Sequence, residues 1–110
     1  MLNRKIPCKT CPFRTTKSGL RGLGTERAEE IAESLLRGES FTCHSDLDKP
    51  VKSRNQCVGA MLILDKLQQP NQIMQVATRL SLFSVTDLRG RDVVFDNFDA
   101  WVSVQAEAGE

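Results

Sequence analysis

The chain has 110 residues, of which 40% are hydrophobic and 26% are charged, and this suits one small globular domain with a modest core. No apolar run approaches the roughly 20 residues of a membrane span, and none near the N-terminus is long enough for a signal peptide. We therefore expect a cytoplasmic protein without membrane association. The net charge of +1 hides an asymmetry, since residues 1–21 carry six Lys or Arg without an acid and residues 49–57 carry three more.

The first predicted helix spans residues 25–37. Thr25 is a favourable N-cap residue, and the glutamates that follow it suit the positive end of a helix dipole. Apolar residues then recur at helical spacing, and Gly38 is a natural stop. The glutamates are expected to form the solvated face.

Two further helices are predicted between Cys57 and Leu80. The second begins near Cys57 and ends before Pro70, and the third begins after Asn71 as its N-cap residue. The expected buried positions are Ala60, Met61, Leu64 and Leu67 on the second helix, and Ile73, Met74, Ala77 and Leu80 on the third.

A short fourth helix is predicted after a turn at the sequence DLRGRD. Its apolar residues are Phe95, Phe98, Trp101 and Val102. We expect this quartet to belong to the core and to pack on the second and third helices. The alternative is a protein-docking surface, because Trp and Phe are common anchors of interfaces.

These elements predict a mainly α fold, a small single domain of three to four helices with an N-terminal loop held in place by a metal. No internal repeat or linker divides the chain. We assign residues 1–24 to a metal-binding loop, residues 25–105 to a helical body and residues 106–110 to a frayed tail.

The four cysteines are spaced C-x2-C-x31-C-H-x12-C. In a reducing cytoplasm, such cysteines are expected to bind a metal or to do chemistry rather than to form structural disulfides. A Cys-x-x-Cys turn presents two thiolates, the first helix can return the chain to that turn, and a cysteine at a helix N-terminus has its thiolate favoured by the helix dipole. The predicted metal ligands are Cys8, Cys11, Cys43 and Cys57.

His44, the sole histidine, directly follows Cys43. Because adjacent residues seldom both reach one ion, Cys43 is the expected ligand, and His44 is an alternate ligand or a hydrogen-bonding partner of a coordinated sulfur. The competing interpretation is that all four cysteines pack as small buried residues.

Zinc is the expected metal, and a 4Fe-4S cluster is the alternative, because four cysteines suffice for either. Four thiolates leave either centre with net negative charge. The surrounding Lys and Arg would offset that charge without selecting the metal.

The cysteine and histidine pattern resembles that of a small family of bacterial and phage proteins. In that family a CxxCP(F/W)R segment precedes a CH pair and a CxG segment, usually CAG, where this chain has Cys57-Val58-Gly59. The resemblance covers roughly residues 1–60, and it implies that the Cys and His positions belong to one metal-binding site. The family has no established activity, so the resemblance implies none here.

The predicted function is that of a non-catalytic zinc-binding protein that acts on a macromolecular partner, either protein or nucleic acid, with no small-molecule substrate evident. Two enzymatic hypotheses fit less well. A redox dithiol lacks the surrounding pattern of a thioredoxin-like fold. A zinc deaminase needs an H-x-E motif before its P-C-x-x-C segment, whereas the histidine here follows Cys8 and Cys11, and Asp46 stands in place of the Glu.

The further alternative is a nucleic-acid-binding module. The basic residues would contact phosphates, and Phe13 would stack on a base. The competing explanation is that these charges offset an anionic metal site. The residues expected at such a contact are Arg14, Lys17, Lys49, Lys52 and Arg54.

Overall fold

Four α-helices joined by turns form the part of the chain that the computed structural model describes, which is Leu2, residues 4–15 and residues 23–109. Within these residues there is no strand, and extended pairing is limited to two isolated bridges, Arg14 with Val94 and Thr42 with Gln56. The predicted mainly α, single-domain fold is confirmed. The helices are α1 (Thr25–Leu36), α2 (Val58–Lys66), α3 (Gln72–Arg79) and α4 (Phe98–Gly109).

Helix α1 matches its predicted span closely, but Thr25 is its first helical residue and not its N-cap. The N-cap is Gly24, whose φ of 81° is a left-handed conformation that favours glycine. At the other end, the predicted stop at Gly38 is confirmed. Gly38 has a φ of 95°, and its N–H donates to the Leu35 carbonyl while the next N–H donates to the Ser34 carbonyl, as in a Schellman motif.

Helices α2 and α3 end at residues where the sequence shows no helix-stop signal. Helix α2 stops at Lys66, before Pro70, because Gln68 adopts a φ of 58°. Ser81, with a φ of 59°, follows the end of α3 in the same way. The predicted start of α3 is confirmed, since the Asn71 side chain accepts a hydrogen bond from the Met74 N–H at 3.0 Å.

The two middle helices differ in burial. Helix α2 is buried on every side from Val58 to Leu64, so the predicted single stripe is only part of its buried surface. Helix α3 buries Met74 and Ala77, whereas Leu80, which was predicted to be buried, is 62% exposed. The difference arises because α3 lies at the surface and Leu80 is its C-cap residue.

The C-terminal helix α4 packs most extensively against α1, and not against α2 and α3 as predicted. Phe98 and Trp101 are buried, whereas Phe95 precedes the helix and is partly buried with Val102. Both buried rings contact Phe13, with ring centroids 6.2 Å and 4.6 Å away. The quartet therefore belongs to the core, but its buried members cover the N-terminal loop.

The backbone of α4 continues as helix to Gly109, through positions where the sequence predicted a frayed tail. None of the helices in the described part of the chain has the length and apolar character that crossing a membrane requires.

Candidate metal centre

Residues 8–11, here called the cysteine turn, form a tight turn that Arg14 holds in shape. The Cys11 N–H donates to the Cys8 carbonyl at 3.1 Å, and the Arg14 N–H donates to the Cys11 carbonyl at 3.1 Å. The Arg14 guanidinium then folds back and donates to the carbonyls of Pro7 and Cys8 at 2.8 and 2.7 Å. Arg14 thus fixes the backbone that carries both thiols.

Helix α4 fixes the cysteine turn from the other side. The Trp101 indole N–H donates to the Pro12 carbonyl at 2.8 Å, and the Gln105 amide donates to the same carbonyl at 3.4 Å. The oxygen of that amide accepts the Leu23 N–H at 3.2 Å. Gln105, fully buried, therefore connects the cysteine turn and the start of α1 to a single helix position.

Cys43 and Cys57 are brought together by a short antiparallel contact. The Cys43 N–H donates to the Asn55 carbonyl at 2.8 Å, and the Cys57 N–H donates to the Phe41 carbonyl at 2.7 Å. Because side chains alternate along extended backbone, this register places Cys43 and Cys57 on the same face. Both thiols face the cysteine turn as a result.

Two of the four buried thiols are in contact. The sulfurs of Cys11 and Cys57 are 3.8 Å apart. Cys43 interacts electrostatically with both Cys8 and Cys57. Among the described residues, however, no three His, Cys, Asp or Glu side chains are grouped as a metal site. The structure therefore brings Cys11 and Cys57 together and does not group all four predicted ligands at one point.

The thiols of the Cys11–Cys57 pair have opposite protonation preferences. A hydrogen bond from Cys57 lowers the pKa of the Cys11 thiol against the effect of its burial, with further help from the N–H groups of Phe13 and Gly59. The same hydrogen bond, together with burial, holds the pKa of the Cys57 thiol well above its usual range. Burial is the main cause of a raised pKa at Cys43. Of these thiols, Cys11 is therefore the one whose deprotonation its surroundings favour.

Backbone N–H groups favour negative charge at three of the sulfurs. Cys57 is the N-cap residue of α2, and its sulfur accepts the Ala60 N–H at 3.5 Å. The N–H groups of Phe13 and Gly59 act to lower the pKa of the Cys11 thiol, and that of Ser45 acts to lower the pKa of the Cys43 thiol against the larger effect of burial. Such donors stabilise a negatively charged sulfur.

Gly59 permits the close approach of Cys11 to α2. A Cβ atom at this position would lie 2.6 Å from the Cys11 sulfur and 3.0 Å from the Phe13 Cβ. The first distance is too short for unbonded atoms and the second is a tight contact, so this approach favours a residue without a side chain.

Asp46 organises the loop that follows Cys43. It is completely buried, and it accepts hydrogen bonds from the Arg4 guanidinium at 2.9 Å, from the Asn55 side chain at 2.9 Å and from the Asn55 N–H at 3.0 Å. Lys49 forms an ion pair with it at 3.1 Å. The Arg4 and Asn55 hydrogen bonds hold the pKa of Asp46 well below its usual range. Arg4 also acts electrostatically on Cys8 and Cys43, which makes it a counter-charge beside the thiols.

The residues predicted to contact nucleic acid are mostly engaged within the protein. Arg14 and Lys49 have the partners described above, and the Arg54 guanidinium donates to the carbonyls of Lys49 and Leu47 at 2.9 Å each. Lys52 is exposed, and Lys17 and the His44 side chain lie outside the described residues. The prediction that Phe13 is available for stacking is wrong, because its ring is completely buried in the aromatic cluster.

Sequence reasoning missed Trp101 and Gln105 as supports of the cysteine turn. Their spacing of four residues on one helix was a signal, since a glutamine on the same face as a buried tryptophan needs a polar partner in the core. That partner, the Pro12 carbonyl, is fixed only by the tertiary fold.

Comparison of the chain with known protein families, with characterised proteins and with solved structures gives no match.

Proposed function

We propose that this protein binds one Zn²⁺ through Cys8, Cys11, Cys43 and Cys57, and that the zinc ties the N-terminal loop to the segment around Cys43 and to the start of α2. The observation that carries the proposal is the separation of 3.8 Å between the sulfurs of Cys11 and Cys57. Two thiolates bound to one tetrahedral zinc, each at about 2.3 Å, lie about 3.8 Å apart. This pair already has the spacing of two ligands on one ion.

The same spacing favours zinc over a four-iron cluster. In a 4Fe-4S cluster each thiolate binds a different iron, so the sulfurs lie farther apart than two that share an ion. Zinc therefore requires Cys8 and Cys43 to move toward the Cys11–Cys57 pair, whereas a four-iron cluster requires the sulfurs of Cys11 and Cys57 to separate.

The surroundings suit an anionic zinc–thiolate centre. Arg4 supplies positive charge beside Cys8 and Cys43, and backbone N–H groups favour negative charge on the sulfurs of Cys11, Cys43 and Cys57. All four thiols are at most 8% exposed, which would protect the bonds from water. Bound zinc would contribute directly to folding, because its ligands converge only in the folded chain.

The proposed role of zinc is structural, and the protein acts by binding a macromolecular partner in the cytoplasm. Four thiolates fill the tetrahedral shell, so no position remains open for a water or a substrate. The buried carboxylate of Asp46 is engaged in hydrogen bonds and ion pairs with Arg4, Lys49 and Asn55. Neither feature supports zinc-dependent hydrolysis.

The test is elemental analysis and absorption spectroscopy of protein purified anaerobically without added metal. We expect one zinc per chain and a colourless solution. Replacement of Cys11 or Cys43 by Ser should abolish stoichiometric zinc, whereas His44→Ala should retain it if four thiolates are the ligands. Visible iron–sulfur absorption would show the alternative centre, and protein without either metal would overturn the proposal.

Nucleic acid as the partner is tested separately, by filter binding of duplex DNA and single-stranded RNA over a range of salt concentrations. Contacts with phosphates make such binding weaken as salt rises. Lys52→Ala is the informative variant, since Lys52 is exposed and removing its charge should weaken any such binding. If neither DNA nor RNA is retained on the filter at low salt, the partner is a protein and not a nucleic acid.

A further inference from the structure

The contact between Cys11 and Cys57 joins the cysteine turn to a distant segment of the chain. The two residues are 46 positions apart in sequence, yet their sulfurs are 3.8 Å apart. Because Cys57 is the N-cap residue of α2, the contact lies between the turn and the start of that helix.

The positions of the two sulfurs favour a bond between them. Cys11 lies in the cysteine turn, Cys57 is the N-cap residue of α2, and their sulfurs are 3.8 Å apart. A disulfide bond is about 2 Å long, so the sulfurs need to move together by only about 2 Å. When one of two neighbouring sulfurs is oxidised to a sulfenic acid, the second can attack it and close a disulfide.

We propose that hydrogen peroxide oxidises Cys11 and Cys57 to a disulfide and that this oxidation releases the zinc, so that the centre responds to oxidants. This inference rests on the proposed zinc site. Two ligands are removed from the ion at once, and the two remaining thiolates, Cys8 and Cys43, cannot complete a tetrahedral shell. The new bond keeps the cysteine turn attached to α2 when the metal has left.

The reaction balances with peroxide as the sole oxidant. The Cys11 thiolate attacks one peroxide oxygen, the O–O bond breaks, and a sulfenic acid and one water form after uptake of a proton. The Cys57 sulfur then attacks the Cys11 sulfur, the S–O bond breaks, and the hydroxyl leaves as a second water after uptake of another proton. The two thiolates lose two electrons in total, peroxide gains them, and Zn²⁺ leaves without change of oxidation state.

The burial of the pair restricts which oxidants act. Cys11 and Cys57 are 1% and 2% exposed. A small neutral molecule such as hydrogen peroxide reaches such sulfurs through minor fluctuations, whereas attack by a bulky disulfide such as oxidised glutathione requires the sulfur to be exposed. The structure thus predicts a response that is selective for peroxide.

The test treats the zinc-loaded full chain with hydrogen peroxide, measures released zinc with a chromogenic chelator and maps disulfides after trypsin digestion. Trypsin cleaves after Lys5, Lys9, Arg14, Arg37, Lys52, Arg54 and Lys66, so each cysteine falls in a separate peptide. We expect zinc release to follow the appearance of a cross-link between peptides 10–14 and 55–66. Reduction with dithiothreitol should restore both the thiols and one bound zinc.

Three results would overturn the inference while the zinc site stands. They are retention of zinc in peroxide, zinc release with a Cys8–Cys11 cross-link or with irreversible sulfur oxidation instead, and equal sensitivity to oxidised glutathione. Absence of zinc before any oxidant is added is a different failure, because it overturns the proposed function itself. The starting zinc content therefore distinguishes the two.

Discussion

Gly59 is the residue on which the approach of the cysteine turn to α2 most directly depends. Replacing a helical glycine by alanine ordinarily stabilises a helix by up to about 1 kcal/mol. Here the added methyl group would meet the Cys11 sulfur and the Phe13 Cβ. We expect Gly59→Ala to destabilise the fold by about 1–3 kcal/mol, the usual cost of overpacking.

The same substitution should weaken zinc binding about 10–100-fold, as displacement of a supporting contact does in other metal sites. Chemical denaturation and a competition titration with a zinc chelator measure the two effects. The sign of the stability change is diagnostic. A stabilised Gly59→Ala protein with unchanged zinc affinity would show that Cys11 does not pack against Gly59.

Replacement of Asp46 tests whether its buried hydrogen bonds stabilise the loop that carries Cys43. In Asp46→Asn the amide cannot accept every hydrogen bond that Arg4 and Asn55 now donate, and the charge that pairs with Lys49 is lost. We expect the melting temperature to fall by several degrees and zinc affinity to fall with it, because the loop carries Cys43.

Asp48→Asn is the matched control for this change. Asp48 lies on the same loop and is exposed, so its replacement should leave the melting temperature nearly unchanged. Equal melting temperatures for the two variants, measured by circular dichroism, would contradict the structural role given to Asp46.

Among the elements, α4 supports the cysteine turn through one buried amide. In Gln105→Leu the side chain keeps its approximate volume but loses the acceptor for the Leu23 N–H and one donor to the Pro12 carbonyl. A buried polar group left without a partner costs about 1–3 kcal/mol. We expect that loss in chemical denaturation, with faster hydrogen exchange at Leu23.

Ser103→Ala controls for substitution on the same helix, because Ser103 is exposed. Stability and exchange should match those of the unmodified protein in this variant. If Gln105→Leu behaved like Ser103→Ala, the connection of the cysteine turn to α4 would depend on Trp101 alone.

The sequence predicts the elements best where one signal decides the local structure. Gly38 ends α1 and Asn71 begins α3 because a left-handed turn and an amide cap need specific side chains. The ends of α2 and α3 are not predicted, because Gln68 and Ser81 adopt left-handed conformations that are uncommon for glutamine and serine. Spacing also cannot assign a single face to α2, which is apolar all round.

The sequence predicts candidate ligands for the proposed site but not the residues that support them. Spacing and residue type indicate the four cysteines, because thiols have specific chemistry. The roles of Phe13, Asp46 and Gln105 depend on which segments meet in space, and one sequence carries little information about that. Phe13 shows the problem clearly, because a ring beside basic residues suits both a nucleic-acid surface and a core.

At the scale of the whole molecule, the C-terminal helix completes the core instead of forming a separate surface. Phe98 and Trp101 are buried against Phe13, so truncation after Gly90 should abolish cooperative unfolding. Truncation after Gln105 is the control, since it keeps both rings and the buried amide. Unfolding of both proteins is followed by far-ultraviolet circular dichroism, which does not need the tryptophan. A cooperative transition in the protein truncated after Gly90 would contradict the assignment of these rings to the core.

In the proposed zinc centre, four thiols from three distant parts of the chain share one ion. X-ray absorption at the zinc edge, on protein purified without added metal, measures it most directly because it counts the ligand atoms and their distances. We expect four sulfur neighbours at about 2.3 Å. A shell with a nitrogen in place of one sulfur would assign His44 as a ligand, and a shell dominated by nitrogen and oxygen would contradict the four-cysteine centre.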